Sequence, residues 1–177
     1  SIRRQRQMCI RDRINTVIMK IGSIQMNSSD AVQENLLLAE KLLIEASNQE
    51  VDMVLLPENF AFMGYPKQLV NEIMEDYKDG PIQNFLSKQS KQLGLSIIAG
   101  SIPIKNADES KSFARSIAYD NQGNEIACYD KIHLFDVEVN GKSYNESSSI
   151  ESGKEVINFL TGNTLNINCL LYTSPSP

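Results

Sequence analysis

The chain offers one carboxylate and one lysine whose surroundings suit acid–base and electrophilic chemistry. Glu58 follows the apolar run 51–56 and Pro57, while Lys131 follows Tyr129 at the end of a second strand-forming run. A lysine close to a carboxylate keeps it ionised, and the lysine can also hydrogen-bond an oxyanion that develops on a carbonyl substrate. If both side chains reach one pocket, we expect the pair to support chemistry in which negative charge develops on a carbonyl substrate. The plainer alternatives are a solvated loop acid at 58 and an exposed lysine at 131.

Other kinds of chemistry find less support among the residues. His133 is the only histidine, so a Ser-His-Asp or Cys-His mechanism would depend on it, and we interpret it as structural. Cys128 would face away from Lys131 along a strand, which favours a core residue. One histidine among scattered acids gives no zinc-binding spacing, and the sequence has no glycine-rich phosphate loop. We therefore expect neither a metal nor an organic cofactor.

The elements around Glu58 form a predicted β–α–β unit. The runs 17–24 and 51–56 are apolar enough for buried strands, and Pro57 ends the second because proline has no N–H for a ladder. Between them Asp30 can cap a helix whose apolar residues recur at steps of three and four: Val32, Leu36, Ala39, Leu43 and Ala46. The two strands should be parallel neighbours, which places Glu58 at the carboxyl end of the second.

The segment after Glu58 is apolar and contains Gly64. Loops of this kind at a strand tip often form the wall of a pocket. We predict a substrate pocket lined by Asn59, Phe60, Phe62, Met63 and Tyr65. The alternative is that Phe60, Phe62 and Met63 fill the core.

The remainder of the chain changes from parallel units to hairpins. Helices are predicted over 67–77 and 81–94, and a third strand over 95–101. Strands 113–120 and 125–133 then flank a turn at 121–124, and strands 155–160 and 164–168 flank a turn at 161–163. A polar loop, 140–154, joins the two hairpins. This order predicts an α+β fold, or α/β in the wider sense, with a mixed sheet and helices on one face.

Length and charge limit the classes of protein that the chain can belong to. A chain of 177 residues with 41% hydrophobic residues suits one folded domain, and it has no apolar run long enough to span a membrane. The first thirteen residues hold five of the 17 basic residues and one of the 22 acidic residues, so the remainder holds 12 and 21. We therefore expect no nucleic-acid binding by the body of the chain.

Both ends differ in character from the body. Residues 1–13 are arginine-rich and could be a targeting or nucleic-acid arm, but they lack the apolar segment of a signal peptide, and residues 169–177 carry no charge. We expect both segments to be translated adapter sequence, with the native domain spanning 14–168. Cys128 is then the one cysteine of the body, which indicates a reducing, cytoplasmic setting without a disulfide framework.

Three stretches together resemble the nitrilase superfamily of carbon–nitrogen hydrolases. They are Leu56-Pro57-Glu58-Asn59-Phe60, the run from Tyr129 through Lys131 to Val137, and Lys142-Ser143-Tyr144-Asn145-Glu146-Ser147. Their order and separation agree with the family, and the resemblance covers 17–168. The branch that contains omega-amidases and deaminated-glutathione amidases is the most similar.

The resemblance implies an α-β-β-α sandwich that pairs with a second subunit, as a homodimer or higher homo-oligomer. It also implies Glu-Lys-Cys hydrolysis of a small linear amide. Glu58 would be the general base, Lys131 would stabilise the tetrahedral intermediate, and Glu146 would position substrate and lysine. A cysteine thiolate would attack the amide carbonyl, release ammonia and leave a thioester for water to cleave.

The nucleophile is the point at which this sequence departs from the family pattern. The family places its cysteine just after a strand, where Cys169 stands here, but a Tyr-Asp-type segment should follow and 170–177 does not provide one. We interpret Cys169 as the first residue of the tail, with the nucleophile and the C-terminal part of the fold missing and the chain inactive by itself. The alternative function is a catalytically dead α/β module that binds an amide-like metabolite or a partner subunit.

Overall fold

The computed structural model describes residues 19–64, 70–107, 111–139, 141–161 and 165–169, and for 160, 161 and 165–169 it describes the backbone alone. The predicted leader 1–13 and most of the tail lie outside these residues. The first helices and strands are β1 Ile21–Ser23, α1 Val32–Asn48, β2 Met53–Leu55, α2 Val70–Ile73, α3 Pro81–Leu93, β3 Ser96–Ile98 and β4 Ile102–Lys105. The later strands are β5 Ser112–Tyr119, β6 Glu125–Asp130, β7 Asp136–Val139, β8 Lys142–Asn145, β9 Ile150–Glu151, β10 Ile157–Thr161 and β11 Leu165–Cys169.

A mixed sheet organises the fold, as the sequence predicts. Strands β1, β2 and β3 are parallel neighbours, and β5 is antiparallel to β3, β4 and β6. Because β6 is antiparallel to β5 and β5 is antiparallel to β3, strand β6 runs in the same direction as β2 and β3. The carboxyl ends of β2 and β6 therefore lie at the same edge of the sheet, which is the edge that Glu58 and Lys131 follow.

Helices α1 and α3 pack against each other over one face of this sheet. The predicted apolar stripe of α1 supplies part of the core: Leu36, Ala39 and Leu43 are buried, and Val32 and Ala46 pack beside them. Helix α3 begins at Pro81 and ends at Leu93, and its C-cap is Gly94, whose φ of 65° suits a residue without a Cβ. These predictions are confirmed. Burial of apolar residues of both helices against the sheet contributes to stability.

Two helix predictions are wrong in detail. Asp30 does not cap α1, since the residue at the N-cap is Ala31 and no side chain caps the helix there. Of the helix predicted over 67–77, residues 67–69 lie outside the described residues, and the described helix, Val70–Ile73, ends early because the backbone of Glu75 leaves the helical path. Its N–H donates to Pro103 O at 3.0 Å and its carbonyl accepts from Lys105 N at 2.9 Å, so β4 takes the hydrogen bonds that a longer helix would use.

The hairpin predictions succeed where strands are apolar and fail where they are polar. Strands β5 and β6 pair around the turn at 121–124, and β10 pairs with β11, as predicted. The segment predicted as a polar loop, 140–154, instead contains β8, a 3-10 turn at Glu146–Ser148 and β9. Strand β8 pairs with β7, and the sequence between the two strands includes Asn140-Gly141, a dipeptide typical of hairpin turns. The predicted third strand also ends early, at Ile98, and β4 begins at Ile102.

Candidate active site

Three side chains meet at the carboxyl edge of the sheet. Lys131 Nζ lies 2.8 Å from Glu58 Oε1, and 3.0 Å and 2.9 Å from the two carboxylate oxygens of Glu146. The lysine is 2% exposed, whereas the side chains of Glu58 and Glu146 are 31% and 19% exposed. A buried ammonium thus faces two carboxylates that solvent can still reach. The structure brings together the three residues that the sequence singled out for chemistry.

Glu58 is held at the tip of β2 by close contact with the β3–β4 turn. Leu56 N donates to Ile98 O at 2.9 Å, which continues the β2–β3 ladder past Leu55. A Cβ on Gly100 would lie 1.7 Å from Pro57 O, so only glycine allows the two backbones to approach this closely. The backbone next to Glu58 is therefore fixed by packing and hydrogen bonds rather than by the carboxylate alone.

Lys131 directly follows β6, and its backbone is held on both sides. Its N–H donates to Ala114 O at 3.0 Å, and its carbonyl accepts from Gly153 N at 2.9 Å. A Cβ on Gly153 would lie 2.2 Å from Asp130 O, so residue 153 must also be glycine for this contact. The segment after β9 thus presses against the backbone of the lysine and directs its side chain along the sheet edge toward Glu58.

Glu146 reaches the lysine from the β7–β8 hairpin. It begins the 3-10 turn after β8, and its Oε2 accepts a hydrogen bond of 2.6 Å from Phe135 N. The rings of Phe135 and Tyr144 pack edge to face with centroids 5.8 Å apart, which joins the two ends of the hairpin. The otherwise exposed hairpin therefore positions one carboxylate of the cluster.

The charge of Lys131 is set by a balance between burial and its partners. Burial lowers its pKa, but the hydrogen bonds and attraction from Glu58 and Glu146 outweigh this effect and raise the pKa above its ordinary value of 10.5. Lys131 is thus a cation at neutral pH. It can stabilise negative charge on a substrate, and it cannot act as a base.

A second ion pair supports the strand end that carries Lys131. Arg115 Nε and Nη2 donate to the two carboxylate oxygens of Asp130 at 2.7 Å and 2.8 Å. The hydrogen bond with Asp130 raises the pKa of Arg115, although its burial opposes this. A bidentate pair of this kind fixes both side chains in one plane. It ties β5 to β6 directly before the lysine.

The residues predicted to line a substrate pocket occupy different environments. Phe60 is fully buried in the core, as the alternative interpretation of that segment has it, and Phe62 is 8% exposed. Asn59 and Met63 are exposed, and Tyr65 lies outside the described residues. A pocket wall made by all five residues therefore stays a prediction.

Two buried polar side chains hold this segment, and the sequence analysis missed both. Asn35, on the buried face of α1, donates through Nδ2 to Ala61 O at 2.9 Å and to Ser29 O at 2.8 Å. Ser101, 2% exposed, contacts Asn59. An asparagine among the apolar residues of a helix stripe was the available signal for Asn35, because a buried amide needs partners.

The remaining candidates lie apart from the cluster. His133 is exposed, and Cys128 packs against the core, with its Sγ accepting from Tyr77 Oη at 3.4 Å. Cys169 ends β11, and its backbone lies opposite Ile157 in the β10–β11 ladder. Within the described ranges, His, Cys, Asp and Glu side chains nowhere form a group of three that could hold a metal ion. No helix in the same ranges has the length and apolar character of a membrane span.

Known proteins resemble most of this chain. The chain matches the family model described as Carbon-nitrogen hydrolase over residues 20–168. Deaminated glutathione amidase of Synechocystis is 33% identical over 136 residues, which cover 76% of this chain and 49% of that protein. Omega-amidase of Danio rerio is 30% identical over 146 residues, which cover 80% and 50%. The chain thus spans about half the length of the curated relatives it matches.

Solved structures show the same architecture. The C. elegans NITFHIT protein superposes with a TM-score of 0.71 at 25% identity, covering 80% of this chain and 36% of that one. An amidase from Nesterenkonia also gives 0.71, at 21% identity over 86% of this chain and 54% of its own, a likeness of fold alone. The described mixed sheet with its helix layer is therefore a nitrilase-type fold. Because the family match covers most of the sequence, the chain belongs to the carbon–nitrogen hydrolase family.

Proposed function

We propose that the protein hydrolyses a small linear carboxamide to a carboxylic acid and ammonia, with Glu58, Lys131 and Glu146 as part of its catalytic machinery. The observation that carries this proposal is the buried Lys131 ammonium, held within 3.0 Å of both carboxylates. A fixed cation beside an ionised carboxylate suits a reaction in which a proton is removed and an oxyanion forms on a carbonyl. The relatives are named for amide hydrolysis, and this agrees with that chemistry.

In this mechanism the Glu58 carboxylate takes the proton of a cysteine thiol, and the thiolate attacks the amide carbonyl carbon. The carbonyl oxygen becomes an oxyanion, which Lys131 stabilises by hydrogen bonding. Collapse of the intermediate breaks the C–N bond while Glu58 returns the proton to the leaving nitrogen, so ammonia departs and a thioester remains. Glu58 then takes a proton from water, whose oxygen attacks the thioester carbon. The C–S bond breaks to release the acid, and Glu58 returns its proton to the leaving thiolate, which restores the thiol. Glu146 holds Lys131 in place throughout.

The nucleophile is the part of this proposal that the chain supports least. Cys169 ends β11, but the residues after it do not fit the family pattern. We therefore propose that the nucleophile is a different cysteine of a longer protein and that the 177-residue chain has no turnover by itself. We also propose a cytoplasmic homodimer or higher homo-oligomer as the active form.

The test is ammonia release from monoamides of short dicarboxylic acids by the longer reading frame that contains this chain. Glu58→Gln is expected to lower kcat by about 10³-fold, because the amide cannot accept the thiol proton. Glu151→Gln is the matched control, since Glu151 lies in an exposed pair with Lys111 at 3.7 Å and should leave kcat unchanged. The 177-residue chain is assayed alongside and should release no ammonia.

Each outcome has a defined meaning. Unchanged turnover in Glu58→Gln would rule out Glu58 as the base. A wild-type protein that binds monoamides without releasing ammonia would instead support the catalytically dead binding module. Turnover by the 177-residue chain that disappears in Cys169→Ser would show that Cys169 is the nucleophile after all.

A further inference from the structure

The residue that follows Glu58 is in an unusual backbone conformation. Asn59 has a φ of 56°, in the left-handed region that asparagine tolerates better than most residues but that still requires support. Rotation about the backbone at this position would change the direction in which the preceding side chain leaves the strand tip. The aim of the Glu58 carboxylate therefore depends on whatever holds Asn59.

Ser101 holds Asn59 through two hydrogen bonds made by one hydroxyl. Asn59 N donates to Ser101 Oγ at 3.0 Å, and Ser101 Oγ donates to Asn59 Oδ1 at 3.0 Å. The two bonds close a ring in which the Ser101 hydroxyl joins the backbone nitrogen of Asn59 to the side-chain oxygen of the same residue. Ser101 is 2% exposed, and loss of its hydroxyl would leave Asn59 N and Asn59 Oδ1 without the partner that joins them.

The adjacent Gly100 explains why the hydroxyl is in the right place. Its backbone packs directly against Pro57 O, where no side chain would fit. The turn between β3 and β4 is thus in contact with Pro57 and Asn59, on both sides of Glu58. At its other end, the Glu58 carboxylate contacts Lys131 through Oε1 at 2.8 Å.

We infer that Ser101 is a positioning residue for the general base. It acts through Asn59 to keep the Glu58 carboxylate directed at the reacting thiol and at Lys131, without touching the substrate. This inference rests on the proposed function. A misplacement of a reacting group by about 1 Å can cost about 100-fold in rate, so loss of this ring should be visible in kcat.

The test compares three variants of the longer protein on the monoamide that the wild type hydrolyses fastest. Ser101→Ala should lower kcat about 10- to 100-fold with KM changed less than about threefold, because the base is misdirected while the binding surface remains. Ser101→Thr should restore most of the loss. A cavity of about 40 Å³ bordered by Asn59, Ser101 and Ser112 has room for the extra methyl group.

Ser90→Ala is the matched control. Ser90 is also fully buried, and its hydroxyl donates to Ser87 O at 2.9 Å within α3, away from the strand tips. This variant should keep the wild-type kcat. Thermal unfolding of all variants separates a change in rate from loss of folded protein. If Ser101→Ala does not fold, Ser101→Cys takes its place, because its slightly larger thiol keeps the shape of the side chain and weakens both hydrogen bonds.

An unchanged kcat in a folded Ser101→Ala or Ser101→Cys protein would overturn the inference and leave the proposed function intact. A rise in KM alone, or a folded Ser101→Thr protein that stays as slow as Ser101→Ala, would overturn it as well. A wild-type protein without turnover would refute the proposed function, and the inference would fall with it.

Discussion

Lys131 neutralises only part of the charge that surrounds it. One ammonium faces the carboxylates of Glu58 and Glu146, so the cluster retains a net negative charge. Both carboxylates are partly exposed, which lowers the cost of holding them close together, whereas the lysine is buried. The cluster is therefore stable only while the lysine is present and protonated.

Replacing Lys131 by Met tests this dependence. The substitution leaves two facing carboxylates without their cation and removes the oxyanion donor. We expect kcat to fall by at least about 100-fold and the free energy of unfolding to fall by about 2–3 kcal/mol. Ammonia release and urea unfolding at pH 7 measure the two effects.

The effect on stability should also depend on pH. Because the pKa of Lys131 is raised on folding, its contribution is fully present below the unfolded value of 10.5 and is lost as the pH rises through the folded value. The difference between wild type and Lys131→Met should therefore be constant from pH 7 to about pH 10 and shrink above it. Lys111→Met is the control, because the exposed Lys111–Glu151 pair at 3.7 Å should contribute almost nothing. A constant difference up to pH 12 would contradict this account.

At the scale of elements, the sequence predicted those helices and strands whose apolar residues recur at a regular spacing. The stripe of α1, the extent of α3 and the β5–β6 hairpin were all predicted, since burial against the sheet selects those residues. The β7–β8 hairpin was missed because its residues are mostly exposed and so carry no apolar alternation. Ser101 was missed for a related reason: its partner lies 42 residues earlier, and no local pattern reports such a contact.

The close approach of Gly153 to the end of β6 leads to an element-scale prediction. An alanine Cβ at 153 would lie 2.2 Å from Asp130 O and 2.8 Å from its carbonyl carbon, so the segment after β9 must shift away from β6. We expect Gly153→Ala to lower the free energy of unfolding by about 2 kcal/mol. The rate of ammonia release should fall by more than the loss of folded protein explains, because the hydrogen bond from Gly153 N to Lys131 O is displaced.

Gly22→Ala is the appropriate control for this substitution. Gly22 lies in β1, and a Cβ there would meet Val51 Cγ1 at 3.2 Å, a side-chain contact that a small movement relieves. Urea unfolding should show a smaller loss for this variant, or none. Equal losses at 22 and 153 would mean that the backbone contact at Asp130 has no special importance.

At the scale of the whole molecule, the two faces of the sheet are covered unequally. Helices α1 and α3 cover one face, whereas Ile21 and Leu55 on the other face are 49% and 38% exposed. They lie on adjacent strands, since Ile21 pairs with Met53 and Ser23 with Leu55. Among the strands of the described residues, β1 is at the end of the sheet, and exposed apolar residues beside such a strand favour association between copies of a chain.

We therefore expect the 177-residue chain to self-associate reversibly at micromolar concentration and above, as seen by sedimentation velocity. Leu55→Lys should raise the dissociation constant of self-association about tenfold, because a charge on this face must be desolvated in any contact. Leu37→Lys provides the comparison: Leu37 is 65% exposed on α1, and its replacement should leave association unchanged. A wild-type chain that stays monomeric at every concentration would show that the exposed residues of β1 and β2 are too few to drive association. Equal effects of the two lysines would point to net charge instead of this face.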